Sequence, residues 1–221
     1  MRRIARGAAL LAGCVVVSTP LLQGCGTDRP AGHQSAASLT AAVLSAQDLP
    51  SDFLPAEDQK VFGRLVPGDP DCRRLLDLAD LRGLRDVPQV HSVFYRPDPG
   101  ATLAEHVLAL PPARVQSYLL DARRAAAGCP VMKISAGEAR LRLRRKPLTA
   151  PGFAVRYTGP AGDRYLAQYD IVMVSAGARL LVMAQPTLID PDRAYQGEDT
   201  GKLAAAALRK LRVSPGTTLS P

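Results

Sequence analysis

The second half of the chain is a series of strand-like runs joined by short turns, and this feature most restricts the folds open to it. Two of the turns share the letters Ser-Ala-Gly, at 135–137 and 175–177, where glycine suits a tight reversal. Consecutive strands joined in this way pair antiparallel, so the sequence predicts a β-meander. Its runs lie at 130–134, 139–148, 152–158, 164–174 and 179–188.

Two further strand-like runs precede the meander, at 87–97 and 101–110, with a breaker cluster between them. Helical patterns lie on both sides of these strands. One helix is predicted from Asp71, taken as its N-cap, through Leu81, and another over about 200–212.

A third predicted helix opens at Pro111 and Pro112, where a missing amide donor costs nothing. We expect it to end at Gly128 in a left-handed conformation. Its apolar stripe consists of Val115, Tyr118, Leu119, Ala122, Ala125 and Ala126.

This order of elements predicts an α+β fold: a twisted antiparallel β-sheet of about six strands, packed with helices on at least one face. A single domain over residues 39–215 accounts for the folded part, with a disordered tail at 216–221.

The first 24 residues have the pattern of a signal peptide. Arg2, Arg3 and Arg6 precede a short apolar run that Pro20 interrupts, too short for the ~20 residues of a membrane span. Loss of this leader lowers the formal net charge from +8 to +5, because it carries three arginines and no acidic residue.

Two cysteines of this region, Cys14 and Cys25, each end a tetrapeptide that resembles the lipobox of bacterial lipoproteins, in which the cysteine receives a diacylglyceryl group. Leu-Ala-Gly-Cys14 matches the pattern better, but it leaves an apolar region of about seven residues. We therefore predict lipidation at Cys25, followed by a flexible tether to residue 38 that contains a solvated His33.

Cleavage before Cys25 leaves Cys72 and Cys129 as the thiols of the exported domain. An even pair in an oxidising compartment indicates one disulfide, although two separate buried cysteines stay an alternative.

Several stretches together resemble actinobacterial sensor-domain lipoproteins, which are similar to the extracellular sensor domain of PknH-type mycobacterial receptor kinases. The resemblance covers about residues 38–213, and it implies a twisted antiparallel sheet with packed helices, displayed outside the membrane and stabilised by disulfides. The kinase domains carry a second disulfide, for which this chain lacks cysteines. The stretches are the leader, 39–53, GDPDC at 68–72, AAAGCP at 125–130, and the hairpin 164–184 with the helix after it.

Sequence motifs for catalysis are absent: there is no Gly-x-Ser-x-Gly, no Ser-x-x-Lys and no glycine-rich phosphate loop. His91 and His106, with Glu105 beside the latter, fall on neighbouring predicted strands, but no metal-ligand spacing recurs. We predict a non-enzymatic protein with no cofactor and no metal.

The most distinctive charged feature is the run 139–148. On a strand, Arg140, Arg142 and Arg144 share one face, and Arg156 on the next strand extends it. Arginine forks suit phosphate and carboxylate groups, so this is a candidate anion-binding face; an ordinary solvated sheet face is the alternative.

Two functions fit these features. The first is a lipid-anchored, extracytoplasmic binding or sensor domain of the bacterial cell envelope, held at the cell membrane by its acyl anchor. Its partner would be an envelope protein, an anionic lipid or a glycopolymer. The second is a carrier lipoprotein with a lipid in an apolar cavity. Nucleic acid is a poor candidate partner for an exported chain with 5% aromatic residues and no tryptophan.

Overall fold

The strand-like runs pair into one antiparallel sheet. The structure is a computed structural model that describes residues 36–57, 61–62, 65–84, 86–98, 100–134, 140–146, 148, 151–192 and 200–214. The predictions for Cys14, Cys25, His33 and the tail lie outside these residues. Within them the strands are β1 (Leu54–Pro55), β2 (Leu65–Val66), β3 (Gln89–Arg96), β4 (Ala101–Ala109), β5 (Val131–Ile134), β6 (Arg140–Arg145), β7 (Gly152–Ala161), β8 (Tyr165–Ala176) and β9 (Arg179–Ile189). Their order in the sheet is β1-β3-β4-β9-β8-β7-β6-β5-β2.

The helices pack on both faces of this sheet, so the α+β prediction is confirmed and the structure has three layers. They are α1 (Ala36–Thr40), α2 (Pro70–Ala79), α3 (Pro112–Gly128) and α4 (Thr200–Val213), with a short 3₁₀ turn at Ala46–Asp48. None of the described helices is long and apolar enough to cross a membrane.

The prediction of about six strands is wrong, since the described residues form nine. Strands β1 and β2 have two residues each, too few for alternation to show in the sequence, and they pair at the two edges of the sheet.

The central strands β8 and β9 are buried on both faces. Tyr169, Ile171 and Met173 pack towards α2 and α3, on what we call the α3 face. Val172 and Val174 pack with α1 and α4, on what we call the α4 face. Strand side chains alternate between faces, so one continuous apolar run supplies both cores.

The predicted disulfide is confirmed: Cys72 at the start of α2 is bonded to Cys129 just after α3. The two cysteines are 57 residues apart in sequence, and closing a loop of that length contributes about 4 kcal/mol by the chain-entropy model. The bond therefore fixes the two helices of the α3 face to each other.

Two details of these helices differ from the prediction. The N-cap of α2 is Asp69, not Asp71: its carboxylate accepts from the Cys72 amide at 2.8 Å, and Pro70 takes the first helical position. Gly128 has no positive φ. It is needed for close packing, because a Cβ there would lie 1.9 Å from a carboxylate oxygen of Asp71.

The predicted apolar stripe of α3 is confirmed at all six positions.

The segment from α1 to Phe53 covers the α4 face of β3 and β4, and three charged side chains hold it. The fully buried Glu105 accepts from the Leu44 amide at 2.6 Å and from the Ser92 hydroxyl at 3.0 Å. Arg96 lies 5.0 Å from the Phe53 ring centroid. Lys210 of α4 forms an ion pair with Asp48.

We expect Glu105 to make the stability of the protein depend on pH. Burial raises its pKa from 4.5 to about 7, against the hydrogen bonds that favour its charged form. Because the folded-state pKa is the higher one, the carboxyl contributes stability that is complete below pH 4.5 and is lost as the pH rises through 7. Glu105→Gln should flatten this part of the pH profile, measured by urea unfolding.

Asp48→Asn provides the control for this prediction. Burial would raise the pKa of Asp48, but the hydrogen bonds from Lys210 and Ser45 outweigh it and lower the pKa from 3.8 to about 2. Its contribution is present above pH 3.8 and is lost as the pH falls, so this variant should keep the wild-type slope between pH 4.5 and 7. An unchanged slope in Glu105→Gln would contradict the assignment.

Candidate functional site

A group of exposed basic side chains lies on the α4 face of strands β5 and β6. Helix α4 packs on β8 and β9, and α1 on β3 and β4, so no described helix has its main packing on this part of the face. The register pairs Arg142 with Thr158 and Arg144 with Arg156, while Leu141 is buried on the opposite face. Arg140, Arg142 and Arg144 are exposed, as the alternation predicted.

Two lysines that the sequence analysis missed extend this group. Lys133 of β5 is the register partner of Arg140, and the Lys146 amide continues the pairing by donating to the Ala154 carbonyl at 3.0 Å. The position of Lys146 continues the spacing of the arginines and could have been found, whereas Lys133 depends on the strand register. We call Lys133, Arg140, Arg142, Arg144 and Lys146 the basic face.

Strands β5, β6 and β7 carry no Asp or Glu within their described bounds. None of the described acidic side chains forms an ion pair with Arg140, Arg142 or Arg144. The positive charge of the basic face is therefore uncompensated by its own strands.

Arg156 is beside the basic face but is neutralised. Its Nε and Nη2 donate to the two carboxylate oxygens of Asp170 at 2.6 and 2.8 Å. The Asp170 side chain is 2% exposed and that of Arg156 20%. A bidentate pair at this depth belongs to the packed structure, so Arg156 does not act as a free cation as predicted.

A buried polar cluster surrounds Asp170 at the start of α4. Its carboxylate also accepts from Gln168 Nε2 at 3.1 Å and from the Thr200 hydroxyl. The same hydroxyl lies 2.7 Å from Gln185 Oε1, and with one proton it can satisfy one of these acceptors at a time. Among the described residues, Gln185 Nε2 and Thr187 Oγ1 are buried here without a hydrogen-bond partner.

Opposite charges hold the two ends of α4. Asp170 lies at its N-terminus through Thr200, and the buried Arg179 donates to the Leu211 carbonyl at 3.0 Å near its C-terminus. These signs complement the helix dipole, which favours an anion at the first turn and a cation at the last. These contacts thus fix the position of α4 relative to β8 and β9.

Leu148 lines three adjoining pockets: the first and third run beside α4, and the second lies at the start of β7 next to Arg123 of α3. Their volumes are about 170, 260 and 110 Å³. We call the first and third pockets the α4 groove. Its apolar lining includes Val172, Val174, Ala204, Ala205 and Leu208, and its basic lining includes Lys146, Arg209 and Arg212.

The two histidines that were considered as metal ligands, His91 and His106, lie opposite each other on β3 and β4. Their ring centroids are 5.6 Å apart. Glu105 lies on the other face of β4, because adjacent strand residues alternate, and it binds Leu44 and Ser92. In the described part of the chain, no three His, Cys, Asp or Glu side chains come together as metal ligands.

The fold defines a class: a three-layer α+β domain with an open antiparallel sheet and one disulfide. The extracellular domain of PknH from Mycobacterium tuberculosis has a similar structure, with a TM-score of 0.57 and 16% sequence identity. The match covers 82% of this chain and 99% of that chain. No family model and no curated protein matches the sequence. The predicted resemblance is therefore confirmed for the fold.

We expect Asp170→Asn to destabilise the protein strongly, by about 3–5 kcal/mol, because it removes the negative charge and replaces one of the two oxygens that accept from the Arg156 guanidinium and Thr200 with a donor. Asp121→Asn is the matched control, since Asp121 pairs with Arg74 on the surface and should cost less than about 1 kcal/mol. Urea unfolding at pH 7 measures both. Equal effects would show that the Asp170 cluster is not a structural anchor.

Proposed function

We propose that the chain is a membrane-tethered, extracytoplasmic binding or sensor domain that acts without catalysis and without a cofactor. The observation that carries this proposal is its fold, which is similar to that of the extracellular domain of PknH over 82% of this chain and 99% of that domain. The Cys72–Cys129 disulfide supports it, because disulfides persist in oxidising compartments outside the cytoplasm.

The proposed membrane anchor is inferred from the sequence of residues 1–25. We propose that Cys25 carries the diacylglyceryl anchor and that residues 26–38 connect it to the domain on the outer side of the cell membrane. Two cysteines then remain for the folded part, and the structure bonds them to each other.

Metabolic labelling with a clickable fatty acid tests the anchor. The wild-type chain and Cys14→Ala should both take up label and float with membranes, whereas Cys25→Ala should take up none. If Cys25→Ala takes up the label and Cys14→Ala does not, the lipidated residue is Cys14 and the proposal for Cys25 is wrong.

We propose that the binding site is the α4 groove and that its ligand is an anionic amphiphile. An apolar floor between α4 and β8 suits a short alkyl group. Arg209 and Arg212 line the same pocket and suit a phosphate or carboxylate group. The described pockets, at 110–260 Å³ each, are below the ~300 Å³ at which ligand sites usually begin, so they favour partial insertion of a ligand over a carrier's enclosed lipid.

Calorimetric titration with octyl phosphate below its micellar concentration tests this site. Ala205 is exposed on α4 and lines the groove, so Ala205→Trp should fill it and weaken binding by about tenfold or more. Ala127→Trp places the same side chain on exposed α3 and should bind as the wild type does. Octyl glucoside, which lacks the charge, should bind more weakly. Identical affinities of the two tryptophan variants would contradict the groove.

A further inference from the structure

The basic face lies on the same side of the sheet as the segment that leads to the proposed anchor. Leu39 of α1 packs in the core of the α4 face together with Phe94, Leu103 and Val107. The side chains of the basic face project from β5 and β6 on that side. The chain therefore enters the domain on the side that carries the uncompensated charge.

The length of the tether keeps the domain near the membrane. Ten residues, 26–35, separate Cys25 from Ala36. Even fully extended, ten residues span about 35 Å. An anchored domain thus meets the lipid surface at a high local concentration.

The opposite side of the domain is different in charge pattern. On the surface of α2 and α3, Arg74 pairs with Asp121 and Arg82 with Asp77. Acidic side chains there lie among the basic ones and pair with two of them, although Arg73, Arg114 and Arg124 form no ion pair with a described residue. The described residues offer no acidic partner to the arginines of the basic face.

We propose that the basic face docks the domain flat on the membrane that holds its anchor, through contacts with anionic phospholipid headgroups. This inference rests on the proposed anchor and names the partner of the basic face. Each Lys or Arg near an anionic surface adds to the attraction, and five such residues with no acidic neighbour on their strands form a polybasic patch. Docking also turns the same side, including α4, towards the lipid.

The chain contains no tryptophan, so a single introduced one reports on its own position. Val131 is 39% exposed and is the register partner of Arg142, which places it within the basic face. Leu120 is 48% exposed on α3, on the other side of the sheet. Val131→Trp and Leu120→Trp are therefore a matched pair of reporters.

The full chain carrying either reporter is reconstituted into vesicles of phosphatidylcholine with one quarter phosphatidylglycerol, and brominated phosphatidylcholine is the quencher. We expect quenching of Trp emission in Val131→Trp and little in Leu120→Trp. Vesicles of phosphatidylcholine alone should abolish the difference, as should 0.5 M salt, because screening weakens surface attraction.

Charge removal completes the test. We expect no quenching when the Val131→Trp chain also carries Arg140→Gln, Arg142→Gln and Arg144→Gln. The control is the same chain with Arg73→Gln, Arg114→Gln and Arg124→Gln on α2 and α3, which should keep the quenching. Three results would each overturn the proposal: equal quenching of the two reporters, quenching of Val131→Trp on neutral vesicles, or quenching that persists after the three β6 arginines are replaced. A failed anchor is recognised separately, because the chain would then not float with neutral vesicles.

Discussion

Burial of strands β8 and β9 on both faces is the constraint on which the rest of the structure depends. Their alternate residues supply two cores, so helices must cover both sides of the sheet. On one side α2 and α3 do so, fixed to each other by the Cys72–Cys129 disulfide. On the other side α4 and the N-terminal segment pack on a second apolar core and are held in addition by charged and polar groups: Asp170, Arg179, Glu105 and Lys210.

This asymmetry separates a structural side from a candidate functional side. The α3 face is covered by two long helices and a covalent bond, and its packing is apolar. On the α4 face, no described helix packs mainly on β5 and β6, and the cations of the basic face have no ion-pair partner among the described residues. A groove lies beside α4, and polar atoms of Gln185 and Thr187 are buried without a described hydrogen-bond partner. Under-satisfied polar atoms and open charge are features that a protein retains more often for binding than for stability.

Patterns that repeat along the chain predicted much of this fold. The stripe of α3 was predicted in full because six apolar residues recur at helical spacing, and the disulfide followed from the parity of the cysteines. Alternation alone placed the β6 arginines on one face. The Asp170 cluster was missed because its members, Arg156, Asp170, Gln185 and Thr200, come from four elements and meet only after the sheet has formed. The neutralisation of Arg156 was missed for the same reason.

The central claim is that the α4 face, with its groove and basic face, is the side that meets the membrane and its anionic lipids. Paramagnetic relaxation measured by methyl NMR on the full chain, in nanodiscs that contain phosphatidylglycerol and a headgroup-labelled nitroxide lipid, tests it directly. The account predicts strong broadening of the Val131, Ala205 and Leu208 methyl signals and sharp signals for Leu120 and Ala127 on α3. Broadening of the α3 signals with sharp signals at Val131 and Ala205 would contradict it.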